Sequence, residues 1–422
     1  MGENNTSNKT FNLFKDSLTY AFSKALPGIT GLLSVILFFR LVGPAEYGRF
    51  SLLFTFANMC AAFSFGWLNQ SILRYYSTFQ EKQTFSSIVK KGLFISTLCS
   101  GVLIITLQAI SFPQDTSVIM LIMLTVMIGG FAISCIYFQA DQQPFTVLKL
   151  TSFQAILAMG LPMIFILIFH AGFTSIIWGV VLAYALPFVW VINNFRSTKT
   201  SKKNNTDLKH LSYFFKYGWP LSFWFVANIS LRFLDRFFIE KYFDSSLMGS
   251  YASFTELMTR IFSLILFPIT MALHPRIMNL WNNDKRAEAA NALIKGIKFQ
   301  LFIFVTFLLA FYVFKEPIFN VILLLIPDID LSLKFLLLPV FIGGFLWQLA
   351  LLIHKPLELN EKPGIMLLCI VISVLINMGG NIIFLPKYGI IATAYTTIIS
   401  GLSYIICTLL FAGSHIKKFI KS

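Results

Sequence analysis

Arg232, Asp235 and Arg236 fall in one otherwise apolar stretch, 213–239, and Glu256 and Arg260 in the next, 249–274. Spacings of three and four residues put Asp235 on the helical face of Arg232, and Glu256 one turn before Arg260 in the favourable acid-first order. An ionised group at a bilayer centre costs roughly 2.5–3.5 kcal/mol on insertion scales, so it turns toward a partner or a polar cavity. Two chemistries fit these residues. The groups can be ion pairs that lock two helices together. Alternatively, Arg260 and Arg232 offer permanently charged, forked donors to phosphate oxygens. Asp235 and Glu256 are then the candidates for a coupling ion, because their charge can change between states, and the sequence leaves H+ and Na+ equally open. Lys24 and Arg40, near the two ends of the first apolar stretch, are further candidates for touching a substrate or, equally, interface anchors that extend their charge to water. Pro27, Pro220 and Pro268 lie inside apolar stretches, where a missing amide donor permits a hinge or a static kink.

The elements that carry these groups follow from composition. The chain has 422 residues, 57% of them hydrophobic and 12% charged, with a mean hydropathy of +0.76. Too few polar groups exist to cover a water-soluble fold. The apolar runs are continuous and long enough for helices, which need ~20 residues to cross a bilayer, and they lack the alternation of a membrane barrel. Twelve such runs are expected, at 18–42, 50–69, 91–112, 117–138, 151–170, 173–193, 213–239, 249–274, 296–315, 331–354, 363–386 and 388–412. Ile318 to Ile326, bracketed by Pro317 and Pro327, is too short to span and reads as an interfacial piece.

With both ends inside, 24 of the 33 Lys and Arg fall on the inner side, 8 on the outer, and Arg260 within a span. That bias supports cytoplasmic termini. It also accounts for the net charge of +15 without nucleic acid, and makes anionic membrane lipids the neighbours of the basic loops. The chain divides into an N-lobe, 1–193, a basic cytoplasmic linker, 194–212, and a C-lobe, 213–422. Cys60, Cys99, Cys135, Cys369 and Cys407 are solitary, so no metal site, disulfide or bound cofactor is expected. No phosphate-binding glycine loop or nucleophile constellation is present, and no enzyme activity is expected.

The halves share landmarks in the same order. Lys24-Ala-Leu-Pro27 corresponds to Lys216-Tyr-Gly-Trp-Pro220, Tyr47-Gly48-Arg49-Phe50 to Met248-Gly249-Ser250-Tyr251, and Ala140-Asp-Gln-Gln-Pro144 to Leu359-Asn-Glu-Lys-Pro363. An even number of spans per half makes this a parallel repeat.

The stretch Phe38-Phe-Arg40-Leu-Val-Gly43-Pro44-Ala-Glu46-Tyr47-Gly48-Arg-Phe50-Ser51 resembles the first outer turn of Wzx-type polysaccharide (O-antigen) flippases, and Arg232-Phe-Leu-Asp235-Arg236-Phe is similar to the same family. These belong to the MOP superfamily with the MATE exporters and lipid II flippases. The resemblance covers essentially the whole chain, although lipid II flippases carry about fourteen spans, and Asn58 stands where the second span of those proteins has an arginine. It implies an all-α, multi-pass protein of two six-helix lobes in the bacterial inner membrane. The implied cargo is an undecaprenyl-pyrophosphate-linked oligosaccharide carried from the cytoplasmic to the outer leaflet by alternating access. Arg260 and Arg232 would meet its pyrophosphate, and Trp67, Trp219 and Trp224 are candidates to stack on its sugars. A polysaccharide polymerase and chain-length machinery are the protein partners implied. A MATE-type cation antiporter is the second reading, less suited to this excess of basic groups. A membrane polymerase or glycosyltransferase is the third, set back by the short outer loops.

Overall fold

The computed structural model describes the backbone of residues 3–76, 82–110, 117–196 and 206–421; side chains at 3–24, 82–83, 110, 193–196, 206–209, 264–265, 267–268, 271–272, 275 and 412–421 fall outside the described set. The described residues contain helices and turns and no strand. In chain order the helices are α1 (Glu3–Tyr75), α2 (Lys82–Ile110), α3 (Val118–Ala140), α4 (Pro144–Phe169), α5 (Phe173–Arg196), α6 (Thr206–Phe233), α7 (Asp235–Tyr242), α8 (Ser245–Asn282), α9 (Arg286–Val313), α10 (Lys315–Leu325), α11 (Leu337–Ile353), α12 (Lys355–Leu359), α13 (Pro363–Tyr388) and α14 (Ile391–Lys421). The protein is therefore an all-α, multi-pass membrane protein.

Nine stretches of the described residues are long and apolar enough to cross a membrane, and the first, Ala25–Tyr75, holds 51 residues. That is more than twice the ~20 a crossing needs, and α1 breaks at Gly43 (φ 81, ψ 170), so it supplies two spans. A left-handed φ there suits glycine alone at little cost. The expected spans 213–239 and 249–274 correspond to α6 with α7 and to α8. Both are less uniformly apolar because they carry the charged residues singled out above. The short stretch before Pro327 is the eleven-residue helix α10.

The repeat is visible in backbone geometry. Gln142 and Glu361 have φ of 55° and 54°. In the first turn Gln142 N–H donates to Gln139 O (3.1 Å) and Gln143 N–H to Phe138 O (2.9 Å); in the second, Glu361 N–H donates to Glu358 O (3.1 Å) and Lys362 N–H to Leu357 O (2.9 Å). Pro144 and Pro363 then open α4 and α13, where the missing amide leaves no bond unmade.

The chain forms two compact units, one of Met1–Ser34 with Phe56–Phe225, the other of Val35–Thr55 with Val226–Ser422. They differ from the lobes read in the sequence in two exchanged segments: 35–55 joins the second unit and 213–225 the first. Of the expected linker 194–212, residues 197–205 lie outside the described residues.

In the first unit, α3, α4 and α5 close around Phe131, Leu150 and Val191. Gly130 leaves room for the Phe188 ring, and Gly218 of α6 lies so close to the Trp67 carbonyl that a Cβ would overlap it. In the second unit Ile277, Leu293, Leu352 and Leu359 share one cluster, and Phe304 stacks on Phe345 at 3.9 Å and on Phe341 at 5.6 Å. Phe302, Val305, Leu309 and Tyr312 form one stripe of α9, each with more than half its surface exposed, as a lipid-facing side requires.

Candidate functional site: two buried polar centres in the second unit

α6 ends at Phe233 and α7 begins at Asp235, with a tightened step at Leu234, where Phe237 N–H donates to Leu234 O at 3.1 Å. Arg232 is exposed to a cavity of about 100 Å³ that Asp235, Tyr251, Thr255 and Gln348 also line, and its guanidinium lies 5.1 Å from the Phe233 ring centre. Asp235 and Arg236 are both 3% exposed and engage different partners.

Arg236 belongs to the first centre. Its Nη1 donates to Ser51 Oγ (2.5 Å) and Thr55 Oγ1 (3.2 Å), its Nη2 reaches Glu256 Oε2 (3.3 Å), and its plane covers Phe233 at 4.4 Å. Glu256 Oε1 accepts from Arg260 Nη2 at 2.8 Å. One carboxylate thus holds two guanidinium groups and leaves one positive charge in excess. Arg260 Nε has no hydrogen-bond partner among the described residues, and its side chain is 30% exposed. A guanidinium so placed presents a partly exposed positive charge to an incoming oxyanion.

Asp235 organises the second centre. Oδ2 accepts from Tyr251 Oη (2.8 Å) and Thr397 Oγ1 (3.1 Å), and Oδ1 from Asn381 Nδ2 (3.0 Å). Asn381 Nδ2 also reaches Asn377 Oδ1 at 3.0 Å, and Thr396 Oγ1 donates to Asn381 Oδ1 at 3.3 Å. The carboxylate is therefore buried among neutral donors, α13 supplying the amide and α8 and α14 the hydroxyl groups.

Several expectations change. Arg232 and Asp235 line one cavity, and the hydrogen bonds of the Asp235 carboxylate go to donors of α8, α13 and α14. Arg40 has carbonyl partners: Nε donates to Leu325 O at 2.7 Å and Nη2 to Leu324 O, which places its charge at the C-terminus of α10, where carbonyls lack helical partners. The Lys24 side chain lies outside the described residues. Pro27, Pro220 and Pro268 are all inside helix, in α1, α6 and α8, whereas the break in α1 is at Gly43. Tyr251, Asn381 and Thr397 were missed by reasoning from charge. Amides at Asn377 and Asn381, one turn apart in an apolar run, were the available signal, since intramembrane polar groups need partners as charges do.

These centres sit in a fold shared with membrane transporters. The structure is similar to that of a lipid II flippase, MurJ, in an inward closed conformation (TM-score 0.73, 17% identity, 96% of this chain and 90% of that one). It is also similar to an inward-facing multidrug resistance MATE family transporter of the MOP superfamily (0.70, 13%, 96% and 99%) and to a Vibrio cholerae MATE transporter (0.64, 14%, 98% and 99%). No curated protein matches the chain in sequence. The family model described as polysaccharide biosynthesis protein matches residues 37–324. The chain belongs to that family and has the MOP-superfamily fold.

Proposed function

We propose that this protein is a flippase that carries an undecaprenyl-pyrophosphate-linked oligosaccharide, the repeat unit of a surface polysaccharide, from the cytoplasmic to the outer leaflet of a bacterial inner membrane by alternating access. The observation that carries the reading is the Arg236–Glu256–Arg260 centre, whose surplus positive charge and partly exposed Arg260 side chain suit a pyrophosphate. Guanidinium stays charged at every physiological pH and forks onto two oxygens. Arg232 and Lys24 are the next candidates for the anionic headgroup. A cation exporter with this fold would want a surplus of acid at the same place, which makes antiport of a small cation the weaker reading. Polymerase and chain-length proteins are the partners that would receive the cargo.

Of the two acids, Glu256 is held between two guanidinium groups and so is poorly suited to changing charge. Asp235 has only neutral donors within hydrogen-bonding distance and is the better coupling group for H+ or Na+. Deleting the gene tests the function: undecaprenyl-linked repeat units should accumulate on the cytoplasmic face. Unchanged surface polysaccharide in the deletion strain would reject the reading. Complementation with Arg260→Ala and Arg260→Lys tests the site, and full export with the alanine protein would remove Arg260 from it.

A further inference from the structure

A second titratable cluster lies at the end of α11, on the side that the charge distribution assigns to the cytoplasm. The helix stops at His354, and α12 turns Lys355 and Glu358 back beneath it. His354 and Lys355 are 4% and 6% exposed. Lys355 Nζ is paired with Glu358 Oε2. His354 Nε2 and His274 Nδ1 of α8 stand 4.0 Å from the two oxygens of the same carboxylate, and His354 Nδ1 is hydrogen-bonded to Tyr404 Oη at 3.0 Å. His274 and Glu358 remain partly exposed, at 44% and 35% of their side chains. α9 meets this region through Ala289, Ala290 and Leu293, and Glu361 and Lys362 in the next turn are exposed. Lys355 and Glu358 offset each other in charge, so the added charge at His354 is that of a proton alone.

Tyr404 connects this cluster to the cavity beside Asp235. It is fully buried and lies seven residues after Thr397 on the same face of α14, a rise of about 10 Å at ~1.5 Å per residue. Its ring centre is 5.8 Å from that of Trp347. Trp347, Gly401 and Thr397 all line the cavity that reaches Asp235. Gln348 Oε1, on the cavity wall, has no hydrogen-bond partner among the described residues. The space of about 100 Å³, lined mostly by apolar groups but with Asp235, Thr397 and Gln348 on its wall, is large enough for several waters, each of which needs two or more polar partners.

We infer that Glu358, His354 and Tyr404 form a proton-transfer line from the cytoplasmic end of the second unit to the cavity at Asp235. The inference rests on the reading of Asp235 as the coupling group and selects H+ as its ion. Glu358 collects a proton from solvent and passes it to His354 Nε2. The proton on Nδ1 moves to Tyr404 Oη, whose own proton passes to water in the cavity and on to the Asp235 carboxylate. One proton enters and one leaves at each group, and no bond other than N–H and O–H changes.

The test is the carboxylic-acid band of Asp235 in infrared difference spectra of the full-length protein in lipid vesicles after a jump from alkaline to acidic buffer, the band being assigned by its loss in Asp235→Asn. His354→Gln and Tyr404→Phe should each slow its appearance by about tenfold or more, as expected when a positioned proton carrier is removed, with the final amplitude unchanged. Tyr404→Phe keeps the ring that packs on Trp347 and serves if the histidine variant does not fold; His170→Gln, in the other unit, should leave the rate alone. A band that rises at the wild-type rate in both variants overturns the line while leaving Asp235 as the coupling group. Absence of an Asp235-dependent band in the wild-type protein overturns both.

Discussion

Gly48 and Gly249 occupy corresponding places in the two half-repeats, and their backbones touch. A Cβ on Gly249 would lie 2.9 Å from Gly48 N and overlap the Pro44 carbonyl oxygen, and one on Gly48 would lie 2.9 Å from Gly249 N. Gly249→Ala should therefore force the start of α8 away from α1 at a cost of about 1–3 kcal/mol, read as a lowered melting temperature in detergent. Gly101→Ala, where a Cβ meets nothing within 4 Å, should melt like the parent or slightly higher. Equal melting of the two variants would contradict the contact.

The arginine centre separates stability from transport. Glu256→Gln leaves Arg236, 3% exposed, without its carboxylate, and breaking such a pair costs roughly 3–5 kcal/mol. Arg260→Ala removes the more exposed partner and should cost about 1 kcal/mol or less, yet it should stop flipping of the lipid-linked sugar. Melting curves and an export assay on the same two proteins check both halves. A stable, inactive Glu256→Gln protein together with an unstable, active Arg260→Ala protein would reverse the assignment.

Arg40 caps the end of α10. Arg40→Ala should free the carbonyls of Leu324 and Leu325 and cost about 1 kcal/mol, a typical net value for a hydrogen bond. Faster amide exchange confined to Lys315–Leu325 would register it. Export should persist, and loss of export with unchanged exchange would return Arg40 to the list of substrate contacts.

At the loop end of the first unit, Tyr76 donates its hydroxyl to Asp141, which also accepts from Gln143 Nε2 at 2.7 Å. Burial, and then this bond to a carboxylate, hold the Tyr76 phenol above its ordinary value. A phenol raised in the folded state contributes stability that is intact below its unfolded value near 10 and is lost as pH climbs past it. Wild-type protein should thus lose stability more steeply above about pH 10 than Tyr76→Phe, as followed by unfolding across an alkaline pH series. Parallel curves would show that the phenol does not contribute.

The span count, the parallel repeat and the turns at Gln142 and Glu361 were legible in the sequence because each is set by a short local pattern. Apolar runs fix spans, and a proline two residues after the left-handed position opens the next helix. Glu256 and Arg260 were legible too, since one helical turn separates them. The pairing of Asp235 was not. Its partners Asn381 and Thr397 lie 146 and 162 residues away. Arg40 meets carbonyls 285 residues further on. No local spacing encodes such a meeting, so an arginine that caps a distant helix reads in sequence like one awaiting a ligand.

The exchange of 35–55 and 213–225 between the compact units has a consequence for biogenesis. As the chain leaves the ribosome, the hairpin around Gly43 is threaded into the membrane long before Gly249, against which it packs, has been translated. It must wait there with its small-residue seam uncovered for about two hundred residues. Conversely, the first unit remains unfinished until α6 arrives from beyond the midpoint. Neither half can mature as an independent folding module, so genes cut near residue 200 should yield fragments that are degraded singly and persist only when made together.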